Sequence, residues 1–287
     1  MPKPGATFGT LWLVVLAIMA LTADHLPFVR SYATTVKVGK KSMANFKLGP
    51  GWTAWFGTDA AGKDVFAKCI YGARVTLLIG VGATVIGLVI GGLLGVMAGY
   101  YKGWADRIIS TFTDSLLALP PLVLASVLVY RFDDLKESVT WLGWVTRTWQ
   151  ITLVLSVLAI GPLARIVRAL TLSLSQREFV LAARSVGAKD WRIIFREILP
   201  NLVPAMMSVT FTGLAILIAA EGGLAFLGFS VQAPSTWGKM IQAGYKKLDV
   251  AWWATIFPSG MLFLTVLSFN LIGDRVARRF DIREATL

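Results

Sequence analysis

The sequence predicts an all-α, polytopic membrane protein with six transmembrane helices. Hydrophobic residues make up 56% of the 287 residues, and they are concentrated in blocks long enough to cross a bilayer, which takes about 20 helical residues. Tryptophans gather near the ends of these blocks, as expected for an aromatic belt at the two membrane surfaces. The six predicted spans are residues 8–23, 75–98, 108–130, 150–167, 202–220 and 252–272.

The first span has a second interpretation as a cleaved signal peptide, because it is short and follows the basic start MPKP. A cleavage site needs small residues at the −1 and −3 positions, and Leu21 stands at −3. We therefore expect residues 1–23 to form an N-terminal transmembrane helix.

Residues 24–74 follow as a polar segment in which SYATTVKVGK is consistent with a short strand. We expect a small extracytoplasmic segment here. Its stretch GTDAAGKD, residues 57–64, has the spacing of a nucleotide phosphate loop but ends in Asp64, where such a loop needs the hydroxyl of Ser or Thr to hold magnesium. An aspartate at this position repels phosphate, so the chain is not expected to bind or hydrolyse ATP.

Residues 75–287 are expected to form a core of five transmembrane helices. In its first helix, Gly87, Gly91, Gly95 and Gly99 recur every four residues and therefore lie on one helix face. A face of glycines allows another helix to approach backbone to backbone. The sequence leaves open whether that helix belongs to this chain or to a partner.

Prolines occur in the later spans, at Pro120, Pro121, Pro162 and Pro258. Proline removes a backbone donor, so each one predicts a local bend. Bending for packing and a bend beside a transport path remain alternative interpretations.

Three acidic residues, Asp114, Glu221 and Asp274, lie near the predicted ends of spans. A charge at the centre of a bilayer costs about 2.5–3.5 kcal/mol on insertion scales. We therefore expect these side chains at the membrane surface, where they cap helix ends.

Composition excludes several classes of function. The chain has one cysteine, Cys69, and one histidine, His25, so it cannot form a His/Cys metal site or an internal disulfide, and its sequence shows no Ser-His-Asp arrangement. Its net charge of +12 is typical of basic loops that face anionic lipid, and we do not expect a nucleic-acid partner. Lys and Arg divide evenly between the two sides of the predicted bundle, so charge does not fix its orientation.

Residues 178–201, between the fourth and fifth spans, are more polar than a simple connection requires. The pattern predicts a short helix at residues 178–186, a break at Gly187 and a second helix with Asp190 as its N-cap. Pro200 is expected to end the second helix. Its apolar side chains at helical spacing are Trp191, Ile194, Phe195 and Ile198. Two interpretations remain, an amphipathic connector lying on lipid and a docking element for a soluble partner.

At this segment the chain resembles a known family. AARSVG, followed by ten residues and then ILPN, is similar to the cytoplasmic EAA loop of ABC-transporter permeases that depend on a binding protein. GTDAAGKD, YGARVTLLIG, FLGFSVQAPSTWGKM and FPSGMLFLTVLSFNLIGD are similar to blocks of the dipeptide/oligopeptide/nickel permeases. In the first block Lys63 replaces the arginine of the family's GTD-x-x-G-R-D signature. The resemblance covers roughly Gly57 to Asp281.

The resemblance implies a type I ABC importer permease fold and an ATP-driven importer of peptides. Nickel, haem or another small solute is an alternative cargo, and an ATPase-independent channel or secondary transporter is an alternative class. The implied partners are a homologous permease in a heterodimer, two cytoplasmic ATP-binding subunits and an extracytoplasmic substrate-binding protein, in contact with membrane lipid. ATP and Mg are bound by the ATPase subunits, so this chain is expected to be non-catalytic and to hold no cofactor or metal.

The resemblance also implies a location and an orientation. The expected location is the cytoplasmic membrane of a bacterium or archaeon. The N-terminus and residues 178–201 are expected inside, and residues 24–74 are expected outside.

The same resemblance implies that residues 178–201 are a coupling loop that docks on an ATPase and passes its motion to the spans. The residues expected at this contact are Glu178, Ala182, Ala183, Arg184, Gly187 and Asp190. The glutamate that names the family motif falls on Leu181 here, so the partner-facing charge is absent or is supplied by Glu178, one turn earlier. In the external loop, Ser230 and Ala233 stand where the family has Gly and Pro.

Overall fold

The structure, a computed structural model, describes residues 4–38, 41–42 and 48–284 and is mainly α-helical. The strand predicted within SYATTVKVGK is present as β1 (Lys37–Val38), which pairs antiparallel with β2 (Lys41–Ser42). Short 3-10 and π-helical turns occupy Thr140–Trp144 and Ile194–Ile198. The α-helices are α1 (Pro4–Thr22), α2 (Val65–Tyr101), α3 (Gly103–Ala118), α4 (Pro121–Ser138), α5 (Arg147–Leu174), α6 (Glu178–Ser185), α7 (Asp190–Ile193), α8 (Leu199–Phe226), α9 (Trp237–Tyr245), α10 (Leu248–Ala251) and α11 (Trp253–Glu284).

Among the described residues, five helical stretches are long and apolar enough to cross a membrane. They are Gly5–Thr22, Val65–Tyr101, Arg147–Leu174, Asp190–Phe226 and Trp253–Arg278. The predicted span at 108–130 is instead a pair of helices, α3 and α4, bent by 96°. Pro120 lies at the break and disfavours the helical conformation at Leu119, which is extended. The described residues therefore contain six candidate spans when this bent pair counts as one crossing.

The helix that contains the second predicted span, residues 75–98, begins before that span. α2 starts at Val65, because the carboxylate of Asp64 accepts hydrogen bonds from the backbone N–H groups of Phe66 (2.8 Å) and Ala67 (3.4 Å). These bonds satisfy donors that the first helical turn leaves without a partner.

α2 is longer than a bilayer is thick. Its 37 residues correspond to about 55 Å, against a hydrocarbon core of about 30 Å. The guanidinium of Arg74 donates to the backbone oxygen of Ala20 in the last turn of α1, and the hydroxyl of Tyr71 donates to Asp24 (2.7 Å). That hydroxyl and the nearby Arg74 hold the pKa of Asp24 below its usual value. The end of α1 thus lies level with residues 71–74, and the first turns of α2 project beyond it.

The main core lies between α2, α4, α5 and α8. Buried apolar side chains of these helices, among them Ile79, Leu155 and Leu224, form one cluster. α1 packs on α11, and α11 packs on α8 and α9. Trp237 at the start of α9 is fully buried, and its indole N–H donates to the carbonyl of Cys69 in α2 (2.9 Å). The short helix α9 is therefore fixed to the bundle.

Asp114 joins two helices rather than capping one. Its carboxylate pairs with Arg165 of α5 (2.5 Å), and both side chains are more than half exposed. Asp114 and Arg165 line a cleft between α3 and α5, and a second pair, Asp106 with Arg168, joins the same two helices. Asp274 is exposed near the end of α11.

Glu221 was expected at the membrane surface, and this expectation is wrong. Its side chain is fully buried near the end of α8. Its Oε1 accepts hydrogen bonds from the hydroxyls of Thr236 (2.6 Å) and Ser230 (3.3 Å). Residues 227–236 fold back over the end of the helix and bring these hydroxyls to the carboxyl group. Ser230, which replaces the family's glycine, thus contributes a contact that glycine cannot make.

Candidate functional site

The glycine series of α2 lies against α5 of the same chain. The glycines at this contact are Gly87, Gly91, Gly95 and Gly99. A Cβ atom added to Gly87 would lie 2.5 Å from the Cβ of Ala159, and one added to Gly95 would lie 2.6 Å from the carbonyl oxygen of Ala164. Of the two arrangements that the sequence leaves open, the structure places this face within the subunit, where it allows the two backbones to approach closely.

Residues 178–198 form a helical hairpin, as the sequence predicts, and its first helix ends where expected. α6 stops before Gly187, whose φ is +79°. This left-handed conformation favours glycine because a side chain there is strained. The backbone N–H of Ala188 then bonds to the carbonyl of Ala183 (3.0 Å), and the chain reverses into the second helix.

Asp190 is placed differently from the prediction. The N-cap of the second helix is Lys189, without a side-chain hydrogen bond, and Asp190 is the first helical residue. The carboxylate of Asp190 instead accepts a hydrogen bond from the hydroxyl of Tyr100 (2.7 Å). The expected capping role is wrong because this tertiary partner engages the side chain.

The second helix does not end at Pro200. It runs through a π-helical turn into α8, so that 190–226 form one continuous helical stretch. In the widened turn, the backbone N–H of Leu199 bonds to the carbonyl of Ile194, five residues earlier. A π turn at the junction thus accommodates a proline that would otherwise break the helix.

The π turn also divides the predicted apolar face. Ile198 is fully buried, whereas Trp191 and Phe195 are 61% and 58% exposed. The hairpin is thus fixed to the bundle by part of its predicted face, and the rest of that face is on the surface.

Tyr100, at the end of α2, is the centre of the hairpin's attachment. Val180, Ile193 and Ile198 are fully buried and cluster with it, and Ala183 packs against the same cluster. Of the two adjacent alanines expected at the partner contact, Ala183 therefore faces inward.

A polar contact accompanies this packing. The hydroxyl of Tyr100 holds Asp190, and the guanidinium of Arg184 lies 5.2 Å from the centre of the Tyr100 ring, within the range of a cation–π interaction. Two predicted site residues thus meet at an aromatic residue from another helix. Tyr100 is not among the site residues predicted from the sequence. The one feature of the sequence that marks this tyrosine is its position at the end of the apolar run of α2.

The opposite face of α6 is exposed. Glu178 and Ala182 are on the surface, Leu181 is 51% exposed, and Val186 beside Gly187 is 85% exposed. Leu181, which replaces the motif glutamate, therefore presents an apolar side chain outward. An exposed strip of small and apolar residues on a well-anchored helix is typical of a protein contact.

Residues 57–64, which have the spacing of a phosphate loop, form a turn that caps α2. Asp59 accepts hydrogen bonds from the backbone N–H groups of Ala61 and Lys63 (both 2.9 Å). Asp64 caps α2. A bound phosphate would need the backbone N–H groups of the turn and of the first turn of the helix. Here the carboxylates of Asp59 and Asp64 already accept hydrogen bonds from these groups.

Comparison with protein families places the site in context. Residues 91–284, which include the hairpin, match the family described as "Binding-protein-dependent transport system inner membrane component". The match runs from the last turns of α2 to the end of α11.

Curated relatives are similar over most of their lengths. The glutathione transport system permease protein GsiD of Pectobacterium atrosepticum is 36% identical over 81% of this chain and 74% of its own. The dipeptide transport system permease protein DppC of Alkalihalophilus pseudofirmus is 35% identical over 94% and 84%. A putative peptide permease protein of Brucella suis is 36% identical over 97% and 87%.

Solved structures share the fold. An inward-facing form of the MetNI methionine ABC transporter superposes with a TM-score of 0.61 at 18% identity, over 74% of this chain and 95% of that chain. A crystal structure of an amino acid ABC transporter with histidines gives a TM-score of 0.56 at 16% identity, over 75% and 94%. At these identities the likeness concerns the fold alone.

Proposed function

Since this chain belongs to the family of binding-protein-dependent transport system inner membrane components and is the permease subunit of an ABC importer, we propose that it forms half of a path for peptides. The names of the relatives, which include dipeptide, glutathione and peptide permeases, support a peptide cargo. A homologous permease supplies the other half of the path. The cargo arrives from an extracytoplasmic binding protein.

ATP hydrolysis belongs to partner subunits in this proposal. Two cytoplasmic ATPases bind ATP and Mg, and the chain has neither a catalytic nor a nucleotide-binding role. The turn at residues 57–64 supports this assignment, because its own carboxylates engage its amides. The N-terminus and the hairpin lie on the cytoplasmic side, together with the ATPases.

The two faces of the hairpin carry the proposal. One face buries Val180 and packs on Tyr100, so a displacement of the hairpin displaces α2. The other exposes Leu181, Ala182 and Val186, which suit a cleft in an ATPase. A connector that simply lay on lipid would not need an aromatic residue and an aspartate to fix it to α2.

Coupling is tested most sharply at Ala182, because Ala183 packs inward and its substitution would also disturb the hairpin core. We expect Ala182→Glu to abolish peptide uptake by the reconstituted transporter and the ATPase stimulation that accompanies it, since a buried, unpaired charge blocks docking. The amount of inserted permease should not change.

Ala182→Ser is the matched control, because it keeps the side chain small, and it should retain most of the uptake. Normal uptake by Ala182→Glu would refute docking through this face. ATP-driven uptake of a non-peptide solute, with no uptake of dipeptides or oligopeptides, would refute the proposed cargo and leave the coupling intact.

A further inference from the structure

Residues 24–64, the connection between α1 and α2, present a cluster of aromatic side chains to solvent. Trp52 is 99% exposed, Trp55 is 49% exposed and Phe28 is 47% exposed. The rings of Phe28 and Trp55 stack with their centres 5.9 Å apart. We call these three residues the aromatic cap.

Trp55 of the aromatic cap stands well beyond the end of α1. Trp55 packs on Phe66, with ring centres 4.9 Å apart. Phe66 precedes Arg74, which is level with the end of α1, by eight residues, or about 12 Å of helix. The headgroup layer on each side is about 5–7 Å thick. With the end of α1 at the membrane boundary, Trp55 lies beyond the headgroup layer, where an aromatic belt would not place it.

Hydrogen bonds fix the backbone turn that carries Trp52. Trp52 and Thr53 form the tip of a tight turn that is closed by two hydrogen bonds between Gly51 and Ala54 (2.9 and 3.2 Å). The guanidinium of Arg30 donates to the carbonyl of Thr53 (2.6 Å). Large aromatic side chains on a fixed backbone lose little entropy on binding, and they dominate the affinity of many protein interfaces.

The segment that carries the aromatic cap is basic in sequence. Residues 24–64 contain six Lys or Arg and three Asp. The three aspartates each have a cationic partner within the chain: Asp24 pairs with Arg74 (2.8 Å), Asp59 with Lys68 (2.7 Å) and Asp64 with Arg30 (3.5 Å). By sequence the segment therefore carries more positive than negative charge.

We infer that the aromatic cap is the docking surface for the extracytoplasmic binding protein, whose matching face has an apolar pocket surrounded by carboxylates. The inference rests on the proposed function, which requires such a partner on this side of the membrane. Opposite charges steer the encounter, and the aromatic rings supply the affinity. The segment thereby acquires a role that the resemblance to the permease family, which begins near Gly57, did not provide.

The test uses the complete transporter in nanodiscs and the binding protein that supports its peptide uptake. Trp52→Ala combined with Trp55→Ala should weaken binding of that protein by about tenfold or more and lower uptake at limiting binding protein. ATPase activity without binding protein should be unchanged. Trp144→Ala is the matched control, because Trp144 is 71% exposed on the connection between α4 and α5 and should bind normally.

A second measurement does not depend on removing the rings. Cys69 is buried, so Thr53→Cys offers one accessible thiol for a fluorescent label, whose emission should change when the binding protein is added. Unchanged affinity of the double variant, or an unaltered label, would overturn the docking surface. If wild-type uptake requires the binding protein, the proposed function stands whatever the variants do. If wild-type uptake does not require it, both the proposed function and the docking surface are refuted.

Discussion

At the scale of single residues, Tyr100 determines how the hairpin meets the bundle. Its ring packs on Val180 and Ile198, its hydroxyl donates to Asp190, and the guanidinium of Arg184 lies over the ring. A hydrogen bond to a charged group contributes about 1.5–3 kcal/mol. This one joins α2 to the hairpin, so its loss affects the connection between them and not the fold of either.

Tyr100→Phe tests this role, since it keeps the ring and removes the hydroxyl. We expect faster amide hydrogen exchange at residues 178–198 and severalfold lower coupling of ATP hydrolysis to uptake. Tyr101→Phe is the control, because the Tyr101 side chain is 52% exposed and its ring meets that of Tyr100 edge-on (5.2 Å), a contact that phenylalanine keeps. Equal exchange in the two variants would argue against the Tyr100–Asp190 contact.

Residue patterns predicted the hairpin but not its side-chain partners. Gly187 marks a turn because few other residues tolerate its backbone conformation, and this is visible in the sequence. The partner of Asp190 lies 90 residues away in the chain, and no local pattern records it. The burial of Glu221 was missed for the same reason, because its partners Ser230 and Thr236 reach it only when the loop folds back.

At the scale of helices, the contact between α2 and α5 gives the bundle its stiffness. A Cβ atom on Gly95 would lie 2.6 Å from the carbonyl oxygen of Ala164, whereas one on Gly92, on another face of α2, would meet nothing within 4 Å. Overpacking of this kind costs about 1–3 kcal/mol, and replacement of an open glycine in a helix by alanine is favourable by about 1 kcal/mol.

The two substitutions form a matched pair. Gly95→Ala should lower the unfolding temperature of the purified permease and reduce uptake, and Gly92→Ala should leave both unchanged or raise the stability. Thermal unfolding in detergent measures the difference. If both variants unfold alike, close packing of α2 on α5 is not what stabilises this pair of helices.

The apolar pattern of the sequence predicts the spans but not the exact helix boundaries. The long apolar stretches were predicted because a bilayer requires them. The early start of α2 was missed because the polar residues Lys68 and Arg74 interrupt the apolar pattern, although Lys68 is paired with Asp59 and Arg74 is bonded to the backbone of α1. The break between α3 and α4 and the π turn before Pro200 depend on backbone geometry that hydropathy does not report.

At the scale of the whole molecule, the hairpin, Tyr100, α2 and α5 form one connected body. α2 runs from the aromatic cap at one end to the hairpin at the other. In the proposed importer, motion of an ATPase at the hairpin is carried along α2 and α5 by the glycine contact. The same helix connects the two surfaces at which partners are proposed to bind.

The central claim, that the hairpin docks on an ATPase, is tested most directly by cross-linking from Val186→Cys in the assembled transporter. Val186 is 85% exposed and the native Cys69 is buried, so the new thiol is the reactive one on this chain. We expect a cross-link to the ATPase subunit that stops ATP-driven uptake, and we expect uptake to return when the linker is cleaved. A thiol at this position that reacts with soluble maleimide equally fast in the assembled transporter and in the isolated permease, without cross-linking to an ATPase, would contradict it.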